Sequence, residues 1–160
     1  MNIRKALAED IGFGDITTDY LTNERNIIVC YLNSRSDGIF CGAEVFTTVF
    51  KVLSPYMKVS FYIKDGDQIK KGDKIAKIEG SAKYILLGER VALNYVQRMS
   101  GIATETNKYK LAIGEYPAKI ADTRKTTPLF RAFEKYAVKT GGGSLHRFNL
   151  SDCEKIKDNH

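Results

Sequence analysis

Basic side chains concentrate in the last quarter of the chain, where they could bind an anion. Nine Lys and Arg residues and five Asp and Glu residues lie between positions 119 and 160, which gives this segment +4 of the chain's formal charge of +6. The densest group is Thr123-Arg124-Lys125-Thr126-Thr127. Arginine presents a planar fork that matches a carboxylate or phosphate, lysine a point charge, and threonine a further donor. The pattern indicates an anion-binding loop, with a solvated surface loop as the alternative.

Two further basic groups follow this loop. His146-Arg147 comes after the glycine run 141–143, and Lys157 ends the next predicted strand. The pattern around them predicts a strand, a helix and a second strand, at 118–121, 128–140 and 155–157. Loops at the carboxyl ends of parallel strands are where α/β proteins place their sites. We therefore expect the three groups to converge on a multiply charged small molecule.

Nucleic acid is the competing anionic partner, and the sequence does not favour it. A nucleic-acid surface would need an extended basic stripe with aromatic residues for stacking. The predicted helix 128–140 carries Arg131, Lys135 and Lys139 at intervals of four, but Glu134 interrupts them. We interpret this line as a solvated helix face. Neither GxGxxG nor a Walker loop occurs in the chain.

A long helical segment begins at Ser81 and carries a second candidate surface. Its apolar stripe ends at Ser100-Gly101, which predicts a break or a kink before a second helix at 104–113. Beside the stripe, three polar residues follow one another at i, i+4 and i+7: Arg90, Asn94 and Gln97. Such a line is typical of a subunit contact or of a solvent-exposed face.

The N-terminal part mixes helices with short strands. The pattern predicts helices at 2–11 and 43–53, a turn at 14–18, strands at 26–32 and 59–63, and a meander of tight β-turns at 64–80. The meander resembles the hammerhead half of biotinyl and lipoyl carrier domains. Neither carrier triplet, Met-Lys-Met nor Asp-Lys-Ala, occurs in the chain. The fold class expected is α/β, with an N-terminal α/β sandwich.

The composition of the 160 residues, 43% hydrophobic and 28% charged, matches an ordinary globular protein. No apolar run reaches the roughly 18 residues that a spanning helix needs, and the charged start is unlike a signal peptide. We expect a cytoplasmic protein with no membrane partner. Cys30, Cys41 and Cys153 share no metal-ligand spacing and are interpreted as packing residues.

Short motifs along the chain resemble, in the same order, those of the quinolinate phosphoribosyltransferases, the carboxylating nicotinate-nucleotide pyrophosphorylases. They occupy residues 12–18, 88–94, 100–104, 122–128, 134–138, 141–143, 146–147 and 156–160. Members of this family convert quinolinate and phosphoribosyl pyrophosphate to nicotinate mononucleotide, CO2 and pyrophosphate in de novo NAD synthesis. The resemblance implies that reaction here, with Mg2+ as the cofactor. A phosphoribosyltransferase linked to molybdenum metabolism is a minor alternative, which the ending Lys-Asp-Asn-His disfavours.

The resemblance also implies roles for the basic groups. Arg124, His146 and Arg147 would hold the two carboxylates of quinolinate. Lys125 and Lys157 would face the phosphoribosyl donor as catalytic residues. These expectations agree with the convergence of cationic groups that the sequence pattern predicts.

Further implications concern assembly and extent. Thr123 would add a polar contact to the substrate, and Arg90 would reach from one subunit of a homodimer or larger homo-oligomer into its neighbour's site. Where the family usually has Asn before the His-Arg pair, this chain has Leu145. The chain would comprise an N-terminal sandwich domain, 1–114, and the start of an α/β barrel, 115–160.

The barrel would be incomplete, because a whole one needs about 250 residues. The acidic metal site would then lie outside this chain, and the 160-residue chain alone is expected to be inactive. A noncatalytic anion-binding or interaction fragment of the same family is the alternative function.

Overall fold

The computed structural model describes residues 2–154 and 156, and in them five helices alternate with short strands. In chain order the elements are α1 Asn2–Ile11, α2 Ile16–Leu21, β1 Ile27–Asn33, β2 Gly38–Ile39, α3 Ala43–Leu53, β3 Lys58–Phe61, β4 Gln68–Ile69, β5 Lys74–Ser81, α4 Ala82–Ile113 and α5 Arg131–Thr140. The α/β class and the N-terminal sandwich are confirmed.

The strands form two small antiparallel sheets. The larger sheet has the order β1-β5-β3, and the smaller sheet pairs β2 with β4. Matched turns precede β4 and β5: Asp67 accepts from the Lys64 N–H at 2.9 Å, and Asp73 from the Lys70 N–H at 2.8 Å. Asx contacts of this kind favour tight turns. The predicted meander is therefore present at 64–80.

Helices α3 and α4 pack on the sheet and enclose the main core. Phe46, Val49 and Phe50 of α3 are buried at spacings of three and four, as the sequence predicts. Gly88 of α4 permits the close approach, because a Cβ there would lie 2.9 Å from Leu53 Cδ1. The core is thus built where α3 crosses α4.

Helix α4 is continuous from Ala82 to Ile113, so the predicted break at Ser100-Gly101 is wrong. The Ser100 hydroxyl accepts from the Cys41 N–H at 3.0 Å and donates to the Cys41 carbonyl at 3.2 Å. Met99 and Ala103 on either side are buried. Tertiary packing therefore overrides the weak helix propensity of one glycine.

The predicted turn at 14–18 is also wrong in its second half, where α2 begins. Asp15 caps this helix by accepting from the N–H groups of Thr17 at 3.1 Å and Thr18 at 3.0 Å. An aspartate followed by helical residues is a helix start as well as a turn signal.

The C-terminal segment packs against α4 through aromatic rings. Tyr95 of α4 lies 5.3 Å from Phe130 and 5.0 Å from Phe133, measured between ring centroids. The predicted helix 128–140 begins later, at Arg131. The predicted strand 118–121 is reduced to one parallel bridge, Ala121 to Ser144. The predicted strand 155–157 lies outside the described residues except for Ile156, which is irregular.

Candidate functional site

The basic loop and the His-Arg segment lie side by side. Backbone hydrogen bonds run from Ser144 N to Ile120 O at 2.7 Å and from Asp122 N to Ser144 O at 3.1 Å. This pairing is parallel, so both segments leave it in the same direction. The structure therefore brings Thr123-Arg124-Lys125 next to His146-Arg147, as expected of two loops at one sheet edge.

A buried ion pair joins these two segments to α5. Lys135 Nζ lies 2.7 Å from both carboxylate oxygens of Asp122, and the two side chains are only 4% and 5% exposed. The same Nζ donates to the His146 carbonyl at 2.9 Å, and Asp122 Oδ1 accepts from the His146 N–H at 2.7 Å. The interpretation of the α5 basic line as a solvated face is therefore wrong at Lys135.

Arg131, one turn earlier on α5, makes a second connection. Its guanidinium donates to Thr126 Oγ1 at 3.0 Å, to the Phe148 carbonyl at 3.0 Å and to the Arg124 carbonyl at 3.4 Å. Its partners belong to the basic loop and to the segment after His146. The helix α5 thus orders both segments with cationic side chains.

Glu134 fixes the start of the same helix against α4. Its carboxylate accepts from Arg98 Nη2 at 2.6 Å and from the Thr127 N–H at 3.2 Å, and Arg98 also donates to the Thr127 hydroxyl. Burial alone would raise the pKa of Glu134, but the hydrogen bonds from Arg98 and Thr127 outweigh it and hold the pKa below its usual value. Glu134 is therefore a charged link between α4 and the loop.

We expect Glu134→Gln to lower the free energy of unfolding by about 1 kcal/mol at pH 7. A lowered folded-state pKa contributes stability above the ordinary carboxyl pKa near 4.3, and that stability is lost as the pH falls through the folded pKa. The difference from wild type should therefore shrink as the pH falls into the acid range. Urea denaturation across this range checks it, with Glu105→Gln as the control at an exposed pair. A difference that is constant with pH would contradict the charge role.

Arg124 is half-buried, and its Nε is enclosed without a hydrogen-bond partner among the residues the structure describes. Buried polar groups in proteins are almost always paired, so this unpaired donor is an exception among the described residues. The adjacent Lys125 N–H donates to Thr123 Oγ1 at 3.0 Å, which tightens the turn.

Thr123 and Lys125 line a cleft, and Arg124 is not among its lining residues. The cleft is open, about 420 Å³ in volume, and bounded by α4, α5 and the loop. Its lining includes Arg98 and Asp122 but not Arg124, His146 or Arg147. Of the predicted site residues, Thr123 and Lys125 line this cleft.

His146 and Arg147 interact with each other. His146 Nδ1 accepts from the Arg147 N–H at 2.7 Å, so in the neutral ring the proton is on Nε2. Arg147 Nη1 donates to the Cys153 carbonyl at 3.1 Å. The exposed imidazole can thus present an Nε2–H donor to an anion.

The remaining predicted residues lie elsewhere. Arg90, Asn94 and Gln97 are exposed on α4, and the side chain of Arg90 makes no ion pair or hydrogen bond with the described residues. Lys157 lies outside the described residues. The polar line on α4 is therefore present as a surface.

Comparison with known sequences identifies the family. The model for the quinolinate phosphoribosyl transferase N-terminal domain matches residues 15–100, and that for the C-terminal domain matches residues 102–160. The chain belongs to this family. The resemblance that the motifs carry is thereby confirmed.

Curated relatives in this family are longer than the chain. A protein from Bacillus subtilis named probable nicotinate-nucleotide pyrophosphorylase (carboxylating) is 45% identical over 152 residues, which are 95% of this chain and 52% of that protein. A chloroplastic nicotinate-nucleotide pyrophosphorylase from Arabidopsis thaliana is 43% identical over 159 residues, 99% of this chain and 45% of that one. The chain spans about half the length of these relatives.

Solved structures agree with the assignment. NadC from Streptococcus pyogenes superposes with a TM-score of 0.96 at 42% identity, over 99% of this chain and 56% of that one. The nicotinate-nucleotide pyrophosphorylase from Francisella tularensis superposes with a TM-score of 0.94 at 38% identity, over 99% of this chain and 57% of that one.

Within the described part of this family member, no helix is long and apolar enough to cross a membrane.

Sequence reasoning missed Asp122 and Lys135 as site residues. Both lie inside motifs that carry the family resemblance, 122–128 and 134–138. The available signal was a carboxylate directly after a predicted buried strand, where an unpaired charge is costly. Its partner, 13 positions later on a helix, could not be recognised from spacing alone.

Proposed function

We propose that this chain carries the quinolinate-binding part of a quinolinate phosphoribosyltransferase. The reaction joins quinolinate to the ribose of phosphoribosyl pyrophosphate and releases pyrophosphate and CO2, giving nicotinate mononucleotide. Family membership supports the reaction class. The observation that carries the proposal is the parallel pairing that brings the loop of Arg124 beside the His146-Arg147 segment.

Quinolinate carries two adjacent carboxylates on a pyridine ring, so it needs convergent cationic donors. We assign Arg124, Arg147 and His146 to these carboxylates, because two planar guanidinium forks and an Nε2–H can each donate charge-assisted hydrogen bonds. Holding the dianion orients the ring nitrogen toward the ribose carbon from which pyrophosphate departs. After that bond forms, the adjacent positively charged ring nitrogen stabilises the electron pair left on C2 by loss of the 2-carboxylate as CO2, and a proton from solvent then takes the place of the carboxylate.

We assign Thr123, Lys125 and Lys157 to the binding of the second substrate, phosphoribosyl pyrophosphate. Thr123 and Lys125 line the open cleft beside α4, where an ammonium group can stabilise charge on departing pyrophosphate. We assign Lys157 the same role through the family resemblance.

The last part of the proposal concerns the assembly of this protein into a homo-oligomer. We assign Arg90 to the site of a neighbouring subunit in a homodimer or larger homo-oligomer, because it is exposed and without an ion-pair partner among residues 2–154. Asn94 and Gln97 extend the same exposed face by two turns. An unpaired arginine on a rigid helix is well suited to reach another subunit.

The described residues do not fit a magnesium site. They contain no group of three or more His, Cys, Asp or Glu residues that could hold a metal ion. Asp122, the carboxylate that follows the parallel bridge, is already paired through both oxygens with Lys135. Magnesium therefore stays a proposal from the resemblance, and we assign no step to it.

The domain division proposed from sequence is 1–114 and 115–160. In its favour, α4 ends at Ile113 and Gly114 follows with φ +59°, a conformation that suits glycine. A cytoplasmic location is likewise a proposal. Because the chain spans about half of its relatives, we expect it to bind quinolinate without turnover.

Calorimetric titration with quinolinate tests the proposal. We expect quinolinate to bind more tightly than nicotinate, which lacks the 2-carboxylate. Arg124→Gln should weaken quinolinate binding about 30-fold, which corresponds to about 2 kcal/mol for a charge-assisted pair. Lys139→Met, which removes an exposed positive charge from the far end of α5, is the control and should bind as wild type does.

Two outcomes would contradict parts of this account. Equal affinity for quinolinate and nicotinate would contradict the assignment of Arg124, His146 and Arg147 to two carboxylates. Release of CO2 from quinolinate and phosphoribosyl pyrophosphate by the purified chain would contradict the expected inactivity. Tight quinolinate binding without turnover in any longer form of the protein would favour the noncatalytic alternative.

A further inference from the structure

We infer that Lys135 and Asp122 are positioning residues for His146, beyond any role in stability. The inference rests on the proposed function, because it concerns how His146 is presented to quinolinate. Neither residue is assigned to the substrate. They act through the backbone of His146 from a buried pair behind the loop.

Asp122 and Lys135 bind the two polar groups of the His146 backbone, its N–H and its C=O. Asp122 Oδ1 accepts the His146 N–H at 2.7 Å, and Lys135 Nζ donates to the His146 carbonyl at 2.9 Å. Lys135 also binds both Asp122 oxygens at 2.7 Å, so its ammonium makes three hydrogen bonds, the number of its donors. The backbone of one exposed residue is thus held by two buried charges.

Fixing the backbone also constrains the ring. His146 Nδ1 accepts from the next N–H, that of Arg147, at 2.7 Å. This contact sets the tautomer and places Nε2–H on the side away from the backbone. A shift of the His146 backbone would move the imidazole and the start of the Arg147 side chain together.

The pair is better explained by positioning than by stability. A buried salt bridge is weak evidence for stability, because apolar residues of similar size often serve as well or better. Apolar residues could not bind the N–H and C=O of His146. The contacts that distinguish this pair from a packed apolar core are therefore those made to His146.

A double variant that removes both charges distinguishes a role in the stability of the fold from a role in positioning His146. Lys135→Met alone leaves Asp122 unpaired, whereas Lys135→Met with Asp122→Asn removes both charges and keeps side-chain size. We expect the double variant to recover much of the melting temperature lost by the single one. We still expect it to bind quinolinate on the order of tenfold more weakly, because the His146 carbonyl has lost its donor.

The spectroscopic readout is the NMR signals of the His146 amide and imidazole. They should shift in the double variant and stay in place in Lys139→Met, the control on the exposed side of α5. If the double variant does not fold, Asp122→Asn alone supplies both readouts with the same expected direction, because a neutral amide oxygen accepts the His146 N–H more weakly than the carboxylate does. Wild-type quinolinate affinity together with unshifted His146 signals would overturn the inference.

Failure of the two proposals can be told apart. If wild-type chain does not bind quinolinate, the proposed function fails, and the His146 signals alone decide the positioning role: shifted signals support it and unshifted signals overturn it. If the wild type binds and affinity in the variants only follows the folded fraction, the proposed function stands and the positioning role is wrong.

Discussion

Replacement of Lys135 by Met is expected to lower the free energy of unfolding by about 3–5 kcal/mol at neutral pH. The variant leaves the Asp122 carboxylate, which is 5% exposed, without the ammonium that binds both of its oxygens. An uncompensated buried charge is among the costliest single changes in a protein. Since whole domains are stable by only about 5–15 kcal/mol, the loss should be evident in urea denaturation.

The matched control is Lys139→Met, which removes the same charge one helical turn later. Lys139 is exposed, so its replacement should change the free energy of unfolding by no more than about 0.5 kcal/mol. Equal effects of the two variants would show that the Asp122–Lys135 pair does not carry the stability assigned to it.

Replacement of Gly141 by Ala should cost about 3 kcal/mol, at the upper end for overpacking. A Cβ at this position would overlap the carbonyl oxygen of Ala103 and lie 2.8 Å from Thr106 Cβ. Both residues belong to α4, and a backbone carbonyl inside a helix cannot rotate away. The end of α5 would have to separate from α4, which thermal or urea denaturation can measure.

Gly101→Ala is the control for this prediction. Gly101 lies inside α4, and a Cβ there would meet nothing within 4 Å. Alanine should therefore stabilise the protein by up to about 1 kcal/mol through its better helix propensity. If Gly141→Ala were as stable as wild type, the close packing of α5 on α4 would be wrong.

The N-terminal elements could be predicted because their signals are local. Helix α3 shows its buried Phe46, Val49 and Phe50 at helical spacing, and Ser54-Pro55 ends it. The turns at 64–67 and 70–73 each place an aspartate where it accepts from a nearby backbone N–H. Periodicity and turn chemistry are enough for such segments.

Other features depend on contacts distant in sequence and could not be predicted. Gly101 lies within continuous α4 because the adjacent Ser100 binds the backbone of Cys41, 59 residues earlier. Lys135 looked solvated because its partner Asp122 is on another element. Spacing within one helix cannot distinguish a buried paired lysine from an exposed one.

The candidate site was predicted in part. The sequence placed a basic loop and the His146-Arg147 segment at one sheet edge, and the parallel bridge from Ala121 to Ser144 does bring them together. It did not predict that Lys125 would line a cleft with Arg98 while Arg124 lies outside that lining.

The most direct test of the account is NMR titration of the isotope-labelled chain with quinolinate. We predict that the NMR signals of the basic loop around Arg124 and of His146 and Arg147 shift with quinolinate concentration, and that the signals of Lys139 do not. Shifts confined to other surfaces, or none as quinolinate is raised to millimolar concentration, would contradict the claim that these two segments form a dicarboxylate site.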